Sequence, residues 1–242
     1  MTTYSGTDEF EGASFERVSF AGATMRFSDL SGVTMRSVDV GGLDIDSHDL
    51  AFGTLVVNGV DVVPLVEAEL NRRFPGRDLQ KAQTPEGLRE AWEAVQAAWS
   101  ETVEGTPRER VDMHVEDEWS LAETLRHLVL ATDAWLRGAI LREPQPFHEI
   151  GQIFTGAERM GFDVSIFRTD VPSYDEILAV RAERQRLVTD FLAGATPELL
   201  AQERDDPWGG GWTPTVGDCV RVILEEEWAH LRYIRRDLAQ LE

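Results

Sequence analysis

Large apolar side chains recur every five residues at the start of the chain: Phe10, Phe15, Phe20, Met25, Leu30, Met35, Val40, Ile45, Leu50 and Leu55. Two positions before most of them stands a small or β-branched residue: Ala13, Val18, Ala23, Ser28, Val33 and Val38. An α-helix returns to one face after about 3.6 residues and a strand after about two, so neither carries this period. A chain that turns a corner every five residues does, and it sends one large apolar side chain inward per side. After the repeat, Val-rich runs on either side of Asn58-Gly59 predict a β-hairpin. Pro64 opens a short helix through Leu70, and the polar stretch from Pro75 to Thr84 reads as a linker.

From Thr84 the apolar period becomes helical. Thr84-Pro85-Glu86 places a cap and an N1 proline before Leu88, Ala91, Trp92, Val95, Ala98 and Trp99, which predicts a first long helix to about Val103. Ser120 and Glu123 form a capping-box pattern that opens a second helix, ending before Pro144, with Leu121, Thr124, Leu128, Ala131, Trp135 and Ile140 on its inner face. Ser173 and Glu176 repeat the pattern for a third helix to about Ala193, Thr196-Pro197 starts a single turn that ends near Gln202, and Thr213-Pro214 caps a fourth long helix to about Ala239. Four long helices predict a four-helix bundle. The connection from Pro144 to Ser173 is too long for a tight turn and reads as a crossover or an active-site cover.

The five-residue pattern, over residues 8 to 57, resembles the pentapeptide-repeat family. That resemblance implies a right-handed, four-sided β-helix of about two to three coils, whose ends need covering by the rest of the chain. The expected fold class is therefore α+β: a repeat segment with hairpin and short helix at 1–76, packed on a helical domain at 84–242.

Composition narrows the function. With 44 acidic against 23 basic residues and a net charge of −21, the chain is not expected to hold a nucleic-acid backbone or an anionic membrane. Its 42% hydrophobic content suffices for a core. The single cysteine, Cys219, excludes an intrachain disulfide, and the single lysine, Lys81, is the one residue that a Schiff base could use. The N-terminus lacks the basic and apolar regions of a signal peptide, and no apolar run is long enough to span a bilayer, so a cytoplasmic protein is expected. Some pentapeptide-repeat proteins are understood as acidic mimics of duplex DNA, and the patch Asp44, Asp46 and Asp49 keeps open an alternative function as a non-catalytic interaction module.

Candidate chemistry concentrates in the fourth helix. Glu226 and His230 are four residues apart and project from one face, where two side chains can share a metal ion. Glu227 is the weaker substitute, and Glu225 points elsewhere. Val222, Ile223 and Tyr233 lie in the same direction, which marks it as partly inward, and an inward carboxylate is costly unless paired or metal-bound. His127, on the second helix, is the candidate third ligand, while Glu123 is committed to the capping box. Two histidines and a carboxylate with an open position suit Zn²⁺ or a non-haem Fe²⁺ triad. A surface ion pair beside a satisfied core histidine accounts for the same residues. His148 either lines the mouth of the site or is a solvated loop histidine, and His48 and His114 are read as surface. The aromatic loop Trp208 to Trp212 is either a substrate cover or a core plug.

The run Trp119-Ser-Leu-Ala-Glu-Thr-Leu-Arg-His127, followed later by Glu225-Glu-Glu-Trp-Ala-His230, resembles the DinB-like family and its relative, mycothiol-dependent maleylpyruvate isomerase, over residues 84 to 242. The resemblance implies a variant four-helix bundle with a divalent metal at one end, held by His127, Glu226 and His230, with Zn²⁺ ahead of Ni²⁺, Mn²⁺ or Fe²⁺. It also implies a thiol S-transferase or thiol-dependent isomerase acting on small electrophiles, with mycothiol as co-substrate and the metal acidifying its thiol. The expected partners are thus a small-molecule substrate, no nucleic acid and no membrane, with a homodimer through end-to-end pairing of the repeats as a further reading.

Overall fold

A computed structural model describes residues 10–26, 28–47, 50–153, 157–160 and 163–241, which form two compact units, Met1–Asp46 and Ser47–Glu242. In the first unit the five-residue period becomes a ten-residue alternation of turns. Ala13, Ala23, Val33 and Leu43 donate their N–H to the carbonyls of Phe10, Phe20, Leu30 and Val40 at 2.9–3.1 Å. Within these turns Gly12, Gly22, Gly32 and Gly42 take φ of +70° to +77°, which glycine alone adopts without penalty. The rings of Phe10, Phe15 and Phe20 follow one another at 5.7 and 5.4 Å.

The central side chains are nonetheless about half exposed, from 47% at Phe10 to 55% at Met25, where the sequence predicts an enclosed apolar interior. Between described residues, the backbone hydrogen bonds of this unit are the local turn bonds. The physical reason is that the period fixes where the chain turns, whereas burial needs another layer of chain packed against the row, and the described residues of this unit are joined by turn bonds alone. His48 and Asp49 lie outside the described residues.

The second unit opens on the expected hairpin, β1 (Val56–Val57) and β2 (Val60–Asp61), with Val57 opposite Val60 and both turn residues, Asn58 and Gly59, at positive φ. Helix α1 (Val63–Arg73) carries Pro64 in its first turn. The stretch expected to be a linker forms instead a 3₁₀ turn, Arg77–Lys81, and packs on the helices. Its polar residues Arg77 and Lys81 pair with Glu67 at 2.8 and 3.4 Å, while Leu79 joins the core and Gln80 is buried. Phe74 meets Trp228 edge-on at 6.5 Å. The hairpin and α1, grouped with the repeat on sequence, thus belong to the helical unit.

Four long helical segments follow. Helix α2 (Pro85–Gly105) is capped by Thr84, and α3 (Leu121–Thr132) by the full capping box of Ser120 and Glu123. The second segment continues past Thr132 as a π-helical stretch, Asp133–Ile140. Helix α4 (Tyr174–Ala193) is capped by Ser173, and α5 (Pro197–Leu200) is the single turn begun by Thr196. Helix α6 (Val216–Leu238) starts two residues later than the sequence suggests. Its cap is Thr215, which forms a capping box with Asp218, while the Pro214 carbonyl accepts from Arg204 N–H at 2.7 Å outside the helix.

Helix α3 packs on α4 and α6, and α2 packs on both α4 and α6. Between them Leu88, Trp99, Leu125, Leu128, Ile177, Ile223 and Leu231 are at most 2% exposed. The molecule is therefore mostly helical with one small antiparallel sheet. Among the described residues, no helix is long and apolar enough to cross a membrane.

A buried polar knot holds the π-helical stretch. Asp133, fully buried, accepts from Arg184 Nε at 2.6 Å and from the backbone N–H of His148 at 2.8 Å. This bond anchors the segment after Pro144 against α3, and two residues further on Ile150 is fully buried.

Candidate metal centre

His127 stands in mid-α3, held there by the Leu125, Leu128 and Val129 face that packs inward. The Arg126 side chain donates Nε to the Ile150 carbonyl at 2.8 Å, and the Arg126 carbonyl accepts from Gln152 N–H at 3.2 Å. The loop is thereby laid against α3, so that the Gln152 carbonyl lies 3.1 Å from His127 Nδ1. A carbonyl can only accept, so this contact places a proton on Nδ1 and leaves Nε2 to face the interior of the site.

Across from it α6 presents Glu226 and His230 one turn apart. Their neighbour Glu227 faces the opposite way, fully buried, with both carboxylate oxygens accepting from Arg181 Nη2. The Glu227 carbonyl also accepts from Trp99 Nε1 at 3.2 Å. With α6 fixed from that side, Glu226 Oε2 lies 3.3 Å from His127 Nε2 and 3.2 Å from His230 Nε2. One potential ligand atom from each of the three residues falls within 4.8 Å of the others.

Burial opposes ionisation of Glu226, but hydrogen bonding and charge from the two histidines outweigh it and hold the carboxyl well below the usual range. Glu226 is accordingly an anion at neutral pH. Burial pushes the His230 imidazole down, against the opposing pull of Glu226. With the Nδ1 of His127 committed to Gln152, its Nε2 brings a lone pair to a carboxylate oxygen that also offers only lone pairs. Two acceptors in contact need a cation between them, either a second proton or a metal ion. The donor set, two imidazole nitrogens and one carboxylate oxygen, is that of a divalent ion with positions left for an exogenous ligand.

Aromatic rings enclose the set. The imidazoles of His127 and His230 lie 4.6 Å apart between centroids, Trp119 lies 4.8 Å from the first and stacks on the second at 5.9 Å, and Tyr233 meets His230 edge-on at 5.6 Å. The side chains of His127 and His230 are 12% and 16% exposed and that of Glu226 is 34% exposed, so the way in runs past the carboxylate.

All three residues expected as ligands are thus brought together. The substitute Glu227 is turned into the core, and Glu123 stays in its capping box. His148 accepts from Ile150 N–H through Nδ1 at 3.2 Å and has a loop-shaping role, outside the three-residue cluster. His114 is exposed, with Nδ1 2.9 Å from the Glu118 carbonyl. In the aromatic loop, Trp208 packs against the core and stacks on Phe147 at 6.4 Å, with its backbone N–H donating to Asp206 at 2.9 Å, while Trp212 is half exposed and meets Trp135 edge-on at 5.9 Å. Cys219 is fully buried, and burial pushes its thiol up to about 12. Sequence reasoning did not single out Trp119 or Gln152. The first carried a signal, an indole immediately before the α3 cap; the second contributes only its backbone, for which no side-chain signal exists.

No curated protein and no solved structure matches the chain. The family model described as pentapeptide repeats (8 copies) matches residues 9–38. The model of the DinB superfamily matches residues 88–234, a span that covers more than half of the chain and contains His127, Glu226 and His230, and the chain belongs to the DinB superfamily.

Proposed function

We propose that the chain is a divalent-metal-dependent enzyme, a thiol S-transferase or thiol-dependent isomerase of small electrophiles, with His127, Glu226 and His230 as the metal ligands. The observation that carries this reading is the convergence of two imidazole nitrogens and one carboxylate oxygen within 4.8 Å on facing helices. Within it, α2, the α3 segment, α4 and α6 make up a DinB-type four-helix bundle over 84–242, and the repeats of 1–76 belong to a short right-handed β-helix. A divalent ion, with Zn²⁺ ahead of Ni²⁺, Mn²⁺ or Fe²⁺, would supply Lewis acidity that favours the thiolate at neutral pH.

The protein's own residues define the rest. Glu226 contributes the negative charge that draws a cation to the site. The Gln152 carbonyl fixes the His127 tautomer, and Trp119 and Tyr233 keep water from its flanks. The one thiol in the chain, Cys219, is buried and held protonated, so the reacting thiol comes from a co-substrate, for which a mycothiol-type thiol is our choice. Elemental mass spectrometry of protein never exposed to chelator tests the reading: about one ion per chain in the wild type, and loss in His127→Ala and Glu226→Ala. Wild-type protein without metal overturns it.

The half-exposed apolar row of the repeat unit favours a second, separate role in docking a protein partner, with the acidic residues Asp44 and Asp46 beside it. A DNA-handling partner recovered in pull-downs that survive His230→Ala would establish that role. Light scattering checks for a homodimer.

A further inference from the structure

The indole of Trp119 packs against both histidines of the cluster. Its centroid lies 4.8 Å from His127 at a 45° tilt and 5.9 Å from His230 with the planes within 13°. The two imidazoles come from different helices, α3 and α6, and nothing in their own backbones sets the angle between them. His127 has the Gln152 carbonyl to orient it and His230 has the edge of Tyr233. Trp119 is common to both.

Its own position is fixed by the start of α3. The next residue, Ser120, is 2% exposed, and its N–H donates to Glu123 Oε2 at 3.0 Å while its Oγ accepts from Glu123 N–H at 3.3 Å. The preceding turn is tied by Glu118 N–H donating to the Val115 carbonyl at 3.0 Å and by Ala122 N–H donating to the Val111 carbonyl at 2.9 Å. A planar, rigid side chain on a fixed backbone, laid against two flat rings, limits how either ring can rotate about its χ angles.

We propose that Trp119 is a positioning residue of the metal centre, holding the His127 and His230 rings in the mutual orientation that lets both Nε2 atoms meet one ion, and forming a wall that leaves entry only beside Glu226. The proposal rests on the metal-binding reading given above. It gives outer support of the kind whose removal from metal sites weakens binding by about 10- to 100-fold. It also makes Trp119 the principal optical reporter among the seven tryptophans.

The test titrates the full chain with Zn²⁺ against a chromophoric chelator, and separately with Co²⁺ while tryptophan emission is followed. Wild type should bind one equivalent of each and lose emission in step with Co²⁺. Trp119→Ala should bind Zn²⁺ about 10- to 100-fold more weakly, Trp119→Phe should recover most of that loss because a flat ring is restored, and the Co²⁺-linked quenching should fall by at least half in both. Trp119→Ala that folds by circular dichroism and binds as tightly as wild type overturns the proposal while leaving the metal site standing. Wild-type protein that binds no metal removes the site itself, and the proposal with it. Should Trp119→Ala not fold, Trp119→Leu, which fills the space without a flat ring, decides: Zn²⁺ binding as tight as wild type overturns the assignment, and binding weakened about 10- to 100-fold supports it.

Discussion

Glu226 is anionic and partly open to solvent because two histidines face it, and each of the three side chains has a role the others cannot take. Glu226→Gln keeps the shape and removes the charge, so metal retention after dialysis should fall by more than about tenfold with little change in thermal stability, since a part-exposed site residue contributes little to the core. Cys219 provides a second check. Its thiol, ordinarily at 9.0, is pushed up to about 12 by burial. In the folded protein it should resist alkylation across pH 7 to 9 and react at once in denaturant, as followed by mass spectrometry. The sign follows from linkage: above 9.0 the unfolded chain releases this proton while the folded chain keeps it, so the cysteine lowers stability progressively as pH rises toward 12.

At the level of elements, the caps and the three residues that converge at the candidate site are legible in sequence to different depths for a physical reason. Ser120-Glu123 and Thr84-Pro85 are local codes, settled within one turn, and both appear as read. The start of α6 differs from the sequence expectation because Thr213-Pro214 and Thr215 with Asp218 offer competing caps, and the reciprocal box outweighs the proline. Glu226 and His230 were legible from spacing, and His127 from its place mid-helix. The Gln152 carbonyl and the π-helical stretch were not, since each depends on a segment distant in sequence coming to rest against α3. Two stability measurements follow. Ser120→Ala should cost about 1 kcal/mol in urea unfolding. Asp133→Ala should cost about 3–5 kcal/mol, because it strands the buried Arg184 and the His148 N–H.

For the whole molecule, the boundary is the main difference from the sequence reading. Polarity alone marks residues 75–84 as a linker, but Leu79 and the preceding Phe74 fasten that stretch to the helices, with Arg77 tucked against Glu67 and Lys81 at the surface. The five-residue period is matched by the pentapeptide-repeat model but overstates how well the apolar row is hidden, because period reports local geometry and burial depends on what packs against the row. All three cluster residues lie in the second unit. A chain beginning at Ser47 should therefore fold by circular dichroism and hold metal with the affinity of the full chain, and a loss greater than about tenfold would tie the repeats to the site.

The run Glu225-Glu226-Glu227 has a consequence for how α6 can vary. Successive helical positions differ by about 100°, so three identical side chains enter three surroundings: a part-exposed flank, the candidate site and a fully dry ion pair with Arg181. Chemical identity along this stretch therefore says nothing about role; phase does. A one-residue insertion upstream in α6 would still offer Arg181 a glutamate, Glu226, whereas a deletion would offer it Trp228, and either slip carries His230 away from His127 and turns Trp228, Leu231 and Ile234 out of the core. A slip of one residue in this helix therefore disturbs site and core together, whereas a substitution at Glu226 touches the site alone, and metal content measured alongside stability distinguishes the two.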